Sequence, residues 1–124
     1  MLFRNPTFYL TIFQTNIFKM STKISKGSII ASFIYEKSTN LKGYEEMDLL
    51  TINEVKKNDG YLGHELFSTS EKNIFISYWK DIKSIEKWKN NSLHIKAKKM
   101  GPVWYKSYKV QISELKNDYD LDQL

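Results

Sequence analysis

The sequence predicts an α+β domain of the ferredoxin-like kind, in which helices cover one face of a four-stranded antiparallel sheet. Four segments have the composition of strands, and the segments between them carry apolar residues at helical spacing, giving a β-α-β-β-α-β order. The chain of 124 residues is long enough for one hydrophobic core. Its 41% apolar and 27% charged residues are typical of a globular protein, so we expect one domain.

The first strand and the first helix are predicted between residues 28 and 57. Ser28–Ser38 is rich in β-branched and aromatic residues without clean alternation, which favours a strand buried on both faces. Tyr44–Lys57 has apolar residues at helical spacing, with acidic residues near its start and lysines at its end, as the helix dipole favours. Asn58-Asp59-Gly60 is expected to end this helix.

A hairpin is predicted in the middle of the chain. Tyr61–Phe67 alternates in polarity, which predicts a strand with His64 on one face and Tyr61 on the opposite face. The polar connection Ser68–Asn73 leads to a third strand, Ile74–Trp79. Strands joined this way are antiparallel neighbours.

Two helices and a strand complete the predicted unit. Asp81 is expected to cap a helix that carries Ile82, Ile85 and Trp88 on one face. Asn90-Asn91-Ser92 caps a further short helix, which Gly101-Pro102 ends. Val103–Leu115 is predicted to be a long final strand.

The chain divides into three parts: residues 1–27 are a predicted N-terminal extension, 28–115 the domain, and 116–124 an acidic tail. The apolar run Phe8–Phe13 is too short and too interrupted to span a membrane. We interpret the extension either as an arm that lies on the surface or on a partner subunit, or as a gene-start artefact upstream of Met20.

Composition excludes several classes of function. The sequence has no cysteine, which removes disulfides, thiolate nucleophiles and cysteine metal sites. Two histidines in separate elements do not predict a metal site. The net charge of +5 comes from scattered lysines, so nucleic-acid binding is not expected. We expect a cytoplasmic protein that does not bind membranes.

The predicted strands offer apolar residues on both faces, whereas the helices cover only one face of the sheet. A monomer would leave the second face exposed. A homodimer that closes two sheets against each other is the simplest way to bury it.

Residues 28–115 contain the segment Asp59–Glu65 and a later series of aromatic and polar residues that runs from Ser77 to Tyr108. Together these motifs resemble the antibiotic biosynthesis monooxygenase family. Asp59–Glu65 is similar to the family's P-G-F-L-G-x-E segment, with Asp59 in place of the proline. The later positions that match its pattern are Ser77-Tyr78-Trp79-Lys80-Asp81, Ile85, Trp88-Lys89, His94, Ala97, Gly101, Trp104-Tyr105 and Tyr108.

This resemblance implies a dimeric α+β barrel, and some members of the family oxidise polycyclic aromatic substrates without metal or flavin. A deprotonated phenol or anthrone can itself pass an electron to oxygen, so such a protein supplies an aromatic cavity, a base and donors for the oxyanion. The resemblance therefore implies a cofactor-independent monooxygenase acting on an aromatic or quinol-like molecule. The candidate base is His94, and the candidate substrate contacts are Trp79, Trp88, Tyr105 and Tyr108.

Each candidate also has a structural interpretation. Trp79 and Trp88 suit the core of a small domain. His94 can cap or brace its short helix instead of acting as a base. Tyr105 and Tyr108 have opposite parity in a regular strand, so both line one cavity only if the strand is bulged.

Two alternative functions stay open. One is a non-catalytic dimer that binds a small hydrophobic molecule. The other is haem handling, because a related branch degrades haem with an asparagine on the first strand, a tryptophan and a histidine ligand ten residues beyond it. Trp88 matches this tryptophan, but Lys98 stands at the ligand position, His94 lies one turn earlier and Ser28–Ser38 has no asparagine, so haem degradation is disfavoured.

Overall fold

The computed structural model describes residues 24–123, so the predicted extension lies outside the described residues up to position 23. The elements are β1 (Ile29–Lys37), α1 (Tyr44–Val55), β2 (Tyr61–Ser68), β3 (Asn73–Trp79), α2 (Ile82–Lys89), α3 (Ser92–Lys99), α4 (Gly101–Trp104), β4 (Tyr105–Glu114) and a 3-10 turn (Leu121–Gln123). The sheet order is β2-β3-β1-β4 and all neighbours are antiparallel. The predicted ferredoxin-like fold is confirmed.

The start of the last strand differs from the prediction. Val103 and Trp104 belong to the short helix α4, and β4 begins at Tyr105. Pro102 lies in the first turn of α4, where its fixed φ favours a helix and its missing N–H is not needed. Trp104 is buried and its indole Nε1 donates to the Lys42 carbonyl oxygen at 2.9 Å, which holds this turn against the loop before α1.

A bulge near the start of β2 changes which of its residues share a face. The prediction that Tyr61 and His64 lie on opposite faces is therefore wrong. Tyr61 pairs with Trp79 and Gly63 with Tyr78, so Leu62 is an extra residue. Gly63 has φ 135°, which a residue with a side chain rarely adopts. Because of this bulge, Tyr61 lies on the same face as His64, and the Tyr61 hydroxyl hydrogen-bonds to His64 Nδ1.

A second bulge shapes β4. The pairing with β1 passes from Glu36 with Ser107 to Lys37 with Tyr105, which leaves Lys106 as the extra residue. The parity of the strand changes at this point. Tyr105 and Tyr108 therefore share the face that the helices cover, with ring centroids 5.8 Å apart.

The covered face of the sheet holds two separate hydrophobic clusters. The Tyr44 cluster consists of the buried residues Tyr35, Tyr44, Leu66 and Trp104. The Trp79 cluster consists of the buried residues Ile29, Val55, Trp79 and Ile85. The core of the domain is thus built at two places along the sheet.

The other side of the sheet, here called the open face, is not covered by any helix of residues 24–123. Alternation along β1, β2 and β3 places six apolar or aromatic side chains on it: Ile30, Ile34, Phe67, Ile74, Ile76 and Tyr78. Phe67 is 49% exposed and Ile74 is 36% exposed. The β1 residues on this face, Ile30 and Ile34, are half-buried, so the predicted burial of β1 on both faces is partial in a single chain. Within residues 24–123, no helix is long and apolar enough to cross a bilayer.

Candidate functional site

A cleft of about 630 Å³ lies between the helices and the covered face of the sheet. Members of both hydrophobic clusters line it, and its wall is mostly aromatic and aliphatic. It brings together all five side chains that the sequence suggested: Trp79, Trp88, His94, Tyr105 and Tyr108. The size and lining suit a small, flat, apolar ligand.

The cleft opens to solvent beside β4. Tyr108, Val110 and Ile112 line it, yet they are 56%, 55% and 40% exposed. These residues follow the β4 bulge and lie on the covered face of the sheet. A ligand can therefore enter along this strand.

His94 lies in the first turn of α3 and faces the cleft. The Asn91 side chain caps this helix by accepting hydrogen bonds from the backbone N–H groups of Leu93 and His94, at 2.9 and 3.2 Å. The His94 ring lies 4.9 Å from the Trp88 ring, between centroids. His94 Nδ1 is buried and has no hydrogen-bond partner among residues 24–123. A buried polar atom of this kind is free to bond with a ligand.

The surroundings of His94 favour its neutral form. Burial lowers the pKa of His94, and the positive charge of Lys98, one turn along α3, lowers it further. Hydrogen bonding to the Lys89 backbone acts in the opposite direction. A histidine with a pKa below its ordinary value is unprotonated at neutral pH and can accept a proton.

Trp79 and Trp88 both pack in the core and line the cleft. Trp79 is 2% exposed, and its Nε1 donates to Ser77 Oγ at 2.9 Å. Its ring lies 5.3 Å from that of Tyr61. Trp88 is half-buried against the Trp79 cluster. Trp79 is therefore a core residue that exposes one side to the cleft, whereas Trp88 contacts both the core and His94.

Two further residues line the cleft near Tyr105, the phenol of Tyr44 and the carboxylate of Asp48, and the sequence did not single out either of them as a site residue. Tyr44, the first residue of α1, has its ring 5.9 Å from that of Tyr105. Asp48 follows one turn later and also lines the cleft. Their spacing of four residues is a signal for a shared helix face. This spacing did not mark Tyr44 and Asp48 as site residues, because residues of an ordinary amphipathic helix have the same spacing.

His64 lies outside the lining of the cleft. It stacks on Phe75 at 4.9 Å and bonds to Tyr61, as expected for a histidine that is hydrogen-bonded on a sheet face. Burial, with a smaller effect from Lys56, lowers the pKa of His64 to about 4. This histidine is neutral and serves the packing of the sheet.

The residues present do not fit the haem-degrading pattern. Strand β1 has no asparagine, and the side chain of Lys98 lines the cleft at the position where that branch has its histidine ligand. Within the described part of the chain, no three His, Cys, Asp or Glu side chains are grouped so that they could hold a metal ion.

Comparison with known proteins identifies the family. Residues 30–114 match the family model of the af470-like monooxygenases, which covers more than half of the chain. The chain belongs to the monooxygenase af470-like family. The uncharacterised protein YqjZ of Bacillus subtilis is 32% identical over 81 residues, which are 64% of this chain and 71% of YqjZ.

Several solved structures share the fold of this chain. SnoaB, a cofactor-independent oxygenase from Streptomyces nogalater, superposes with a TM-score of 0.63 at 8% identity, covering 74% of this chain and 96% of SnoaB. A conserved protein from Methanosarcina mazei gives a TM-score of 0.66 at 13% identity, covering 81% and 99%. At such identities the likeness shows the fold alone. The predicted relation to the antibiotic biosynthesis monooxygenases is confirmed.

Proposed function

We propose that this chain is a cofactor-independent monooxygenase that oxidises an aromatic or quinol-like small molecule in the cleft. One observation carries the proposal. The buried Nδ1 of His94 has no partner among residues 24–123 and lies beside Trp88 in an aromatic-lined cleft. A neutral histidine in such a place is suited to remove a proton from a bound aromatic compound.

The reaction needs only the substrate, dioxygen and a base. His94 Nδ1 takes a proton from an acidic C–H of an anthrone or quinol tautomer, leaving a delocalised anion. The anion passes one electron to dioxygen, and the substrate radical and superoxide combine to form a C–O bond. The peroxide takes the proton back from His94 and loses water, which converts a CH₂ group and O₂ into a carbonyl and H₂O. The aromatic cleft excludes bulk water from the anion.

The other candidates would hold the substrate in place. Trp88 and Tyr108 offer ring faces and edges to a flat molecule, because both line the cleft and neither is fully buried. Trp79 supplies a rigid wall, and Tyr105 supplies a hydroxyl group in addition to its ring.

The first test is oxygen consumption with an anthrone or a quinol. The His94→Ala variant is expected to lose about 100-fold or more of the rate, which is the usual contribution of a general base.

In Lys98→Gln, the acid limb of the pH–rate profile should move to higher pH, because removing the positive charge lets the pKa of His94 rise. Lys96→Gln, on the exposed part of the same helix, is the matched control and should leave the profile unchanged.

Unchanged oxygen uptake in His94→Ala would overturn the assignment of the base. If the wild type binds the aromatic compound and consumes no oxygen, the result supports the alternative of a non-catalytic binding dimer. A Soret band on haemin titration that disappears in His94→Ala would instead support haem binding.

We also propose that the domain, residues 28–115, functions as a homodimer through the open face of the sheet. The exposed fractions of Phe67 and Ile74 support this, since a second sheet would bury them. Ile74→Lys is expected to convert the dimer to a monomer in analytical ultracentrifugation. The control is Ile82→Lys, on α2, where the replaced side chain is 44% exposed and lies away from the open face. Equal effects of the two variants would contradict this interface.

A further inference from the structure

The cleft wall contains a hydrogen-bonded pair of side chains that the proposed reaction does not use. The Tyr61 hydroxyl hydrogen-bonds to His64 Nδ1. Tyr61 is half-buried and lines the cleft, whereas His64 is buried and lies outside the lining. The Phe75 ring stacks on the His64 ring, with 4.9 Å between centroids. The pair therefore presents a phenol to the cleft while its imidazole stays within the packing of the sheet.

The direction of this hydrogen bond follows from the acidities of the two groups. A neutral imidazole has one nitrogen that accepts, and a phenol is a stronger acid than an imidazole N–H, so Tyr61 donates and Nδ1 accepts. Burial raises the pKa of Tyr61. Burial also lowers the pKa of His64 to about 4, and the charge of Lys56 adds to this effect. In the resting protein, the proton therefore stays on the Tyr61 oxygen.

Tyr61 also packs against an indole. Its ring lies 5.3 Å from the Trp79 ring, between centroids, at an interplanar angle of 66°. Trp79 lines the cleft, and Trp88 packs against the same cluster of residues. Electrons pass readily between aromatic rings that are packed against each other. An electron vacancy formed on the indole of Trp79 can therefore move to the phenol of Tyr61.

A hydrogen-bonded base makes a phenol easier to oxidise. A phenol that loses one electron becomes a strong acid, so without a base it must pass through a radical cation of high energy. Beside a neutral imidazole, the proton leaves the oxygen as the electron leaves the ring. His64 is neutral and accepts from the Tyr61 hydroxyl. The oxidised phenol is a much stronger acid than the His64 imidazolium, whose pKa is about 4, so the proton transfer is favourable.

We propose that Tyr61 and His64 form a redox-active pair that gives one electron to an oxidising radical at the cleft wall, with the Tyr61 proton passing to His64 Nδ1. The oxidant is a peroxyl radical, or the indole radical cation that a peroxyl radical forms at Trp79. The peroxyl radical becomes a peroxide anion, Tyr61 a phenoxyl radical and His64 an imidazolium. A quinol in the cleft then returns one electron to Tyr61 and releases one proton to solvent, while His64 returns its proton to the Tyr61 oxygen.

The source of the radical rests on the proposed function. In that reaction a substrate radical forms beside superoxide, and a substrate radical that meets dioxygen instead becomes a peroxyl radical. Trp79 and Trp88 line the cleft in which this happens. An indole radical is destroyed when it reacts with oxygen species, whereas a phenoxyl radical bonded to an imidazolium can be reduced back to the phenol. The pair would thus protect the tryptophans of the cleft wall during turnover.

The test creates the radical without turnover. A photo-excited ruthenium tris-bipyridyl complex with a cobalt(III) acceptor oxidises the protein under argon, and transient absorption and EPR follow the tyrosyl radical. One component of this signal should disappear in Tyr61→Phe. The same component should form about 100-fold more slowly in His64→Gln, because an amide accepts the hydrogen bond but cannot hold the proton. In the wild type it should form more slowly in heavy water, since a proton moves with the electron.

Tyr44→Phe is the matched control. Tyr44 is also buried and its ring lies 5.4 Å from the Trp104 ring, but the further ring beside it is the phenol of Tyr105 and not a histidine. This variant should keep the component that disappears in Tyr61→Phe. An equal loss of signal in the two variants would overturn the special role of the pair. The urea midpoint shows that each variant is folded, and the heavy-water measurement on the wild type needs no variant.

The outcomes separate this inference from the proposed reaction. If the wild type consumes no oxygen but forms a tyrosyl radical that depends on Tyr61 and His64, the pair is supported and the monooxygenase proposal fails. If His94→Ala abolishes oxygen uptake while Tyr61→Phe leaves the radical signal unchanged, the proposed function stands and the pair is overturned. During turnover with an anthrone, mass spectrometry should find more oxidised Trp79 and Trp88 in Tyr61→Phe than in the wild type. Equal oxidation in both proteins would overturn the protective role.

Discussion

Replacement of Gly60 by alanine is expected to lower the free energy of unfolding by about 3 kcal/mol, the upper part of the range for overpacking a core. A Cβ atom at this position would lie 1.7 Å from Ser84 Oγ and 2.2 Å from Ser84 Cβ. Ser84 has little freedom to move away. Asp81 accepts hydrogen bonds from its backbone N–H and its hydroxyl, and Asn58 Nδ2 donates to its carbonyl oxygen.

Urea unfolding monitored by tryptophan fluorescence measures this loss. Gly101→Ala is the matched control, because its Cβ would meet Tyr108 at 3.6 Å, an ordinary contact distance. The double variant Gly60→Ala with Ser84→Gly removes the clashing atoms and should recover part of the stability. If Gly60→Ala and Gly101→Ala unfold at the same urea concentration, the proposed steric cause is wrong.

The folded protein is expected to lose up to about 3 kcal/mol of stability between pH 6.5 and pH 4 through the protonation of one buried side chain. The pKa of His64 is lowered to about 4 in the folded state by burial, with Lys56 adding to the effect. In the unfolded chain it has its ordinary value near 6.5. Within this window the unfolded state binds more protons, so stability is complete above pH 6.5 and falls as the pH decreases.

The measurement is the urea midpoint of the wild type and of His64→Gln at pH 7.5 and pH 4.5. Glutamine keeps an acceptor for the Tyr61 hydroxyl but does not titrate. The wild type should lose more stability than the variant on acidification, since titrating carboxylates are common to both proteins. If the wild type and His64→Gln lose the same stability between pH 7.5 and pH 4.5, the protonation of His64 does not cause the loss of stability in acid.

Most of the fold could be predicted from local patterns. Strand composition, helical spacing and the caps at Asp81 and Asn91 each follow from a few neighbouring residues, and these elements are present. The two bulges could not be predicted. A bulge arises where two strands must fit one sheet, and nothing near Lys106 in the sequence shows that it is the extra residue.

The sequence predicted which residues form the candidate site but not how their side chains are arranged. The five suggested side chains line one cleft, yet regular alternation would separate Tyr105 from Tyr108. Only the β4 bulge brings them to one face. Tyr44 and Asp48 escaped notice because an amphipathic helix normally carries such residues for packing, and their meeting with Tyr105 depends on the long-range pairing of β4 with β1.

The division of the core into the Tyr44 and Trp79 clusters has a consequence for the stability of the folded protein. The cleft is lined by members of both clusters, so a bound molecule would contact apolar side chains of each. An occupant binds the folded chain and not the unfolded one, so its concentration adds to stability by mass action. If the proposed substrate binds in this cleft, proteolysis of the folded chain should therefore become slower as the substrate concentration rises.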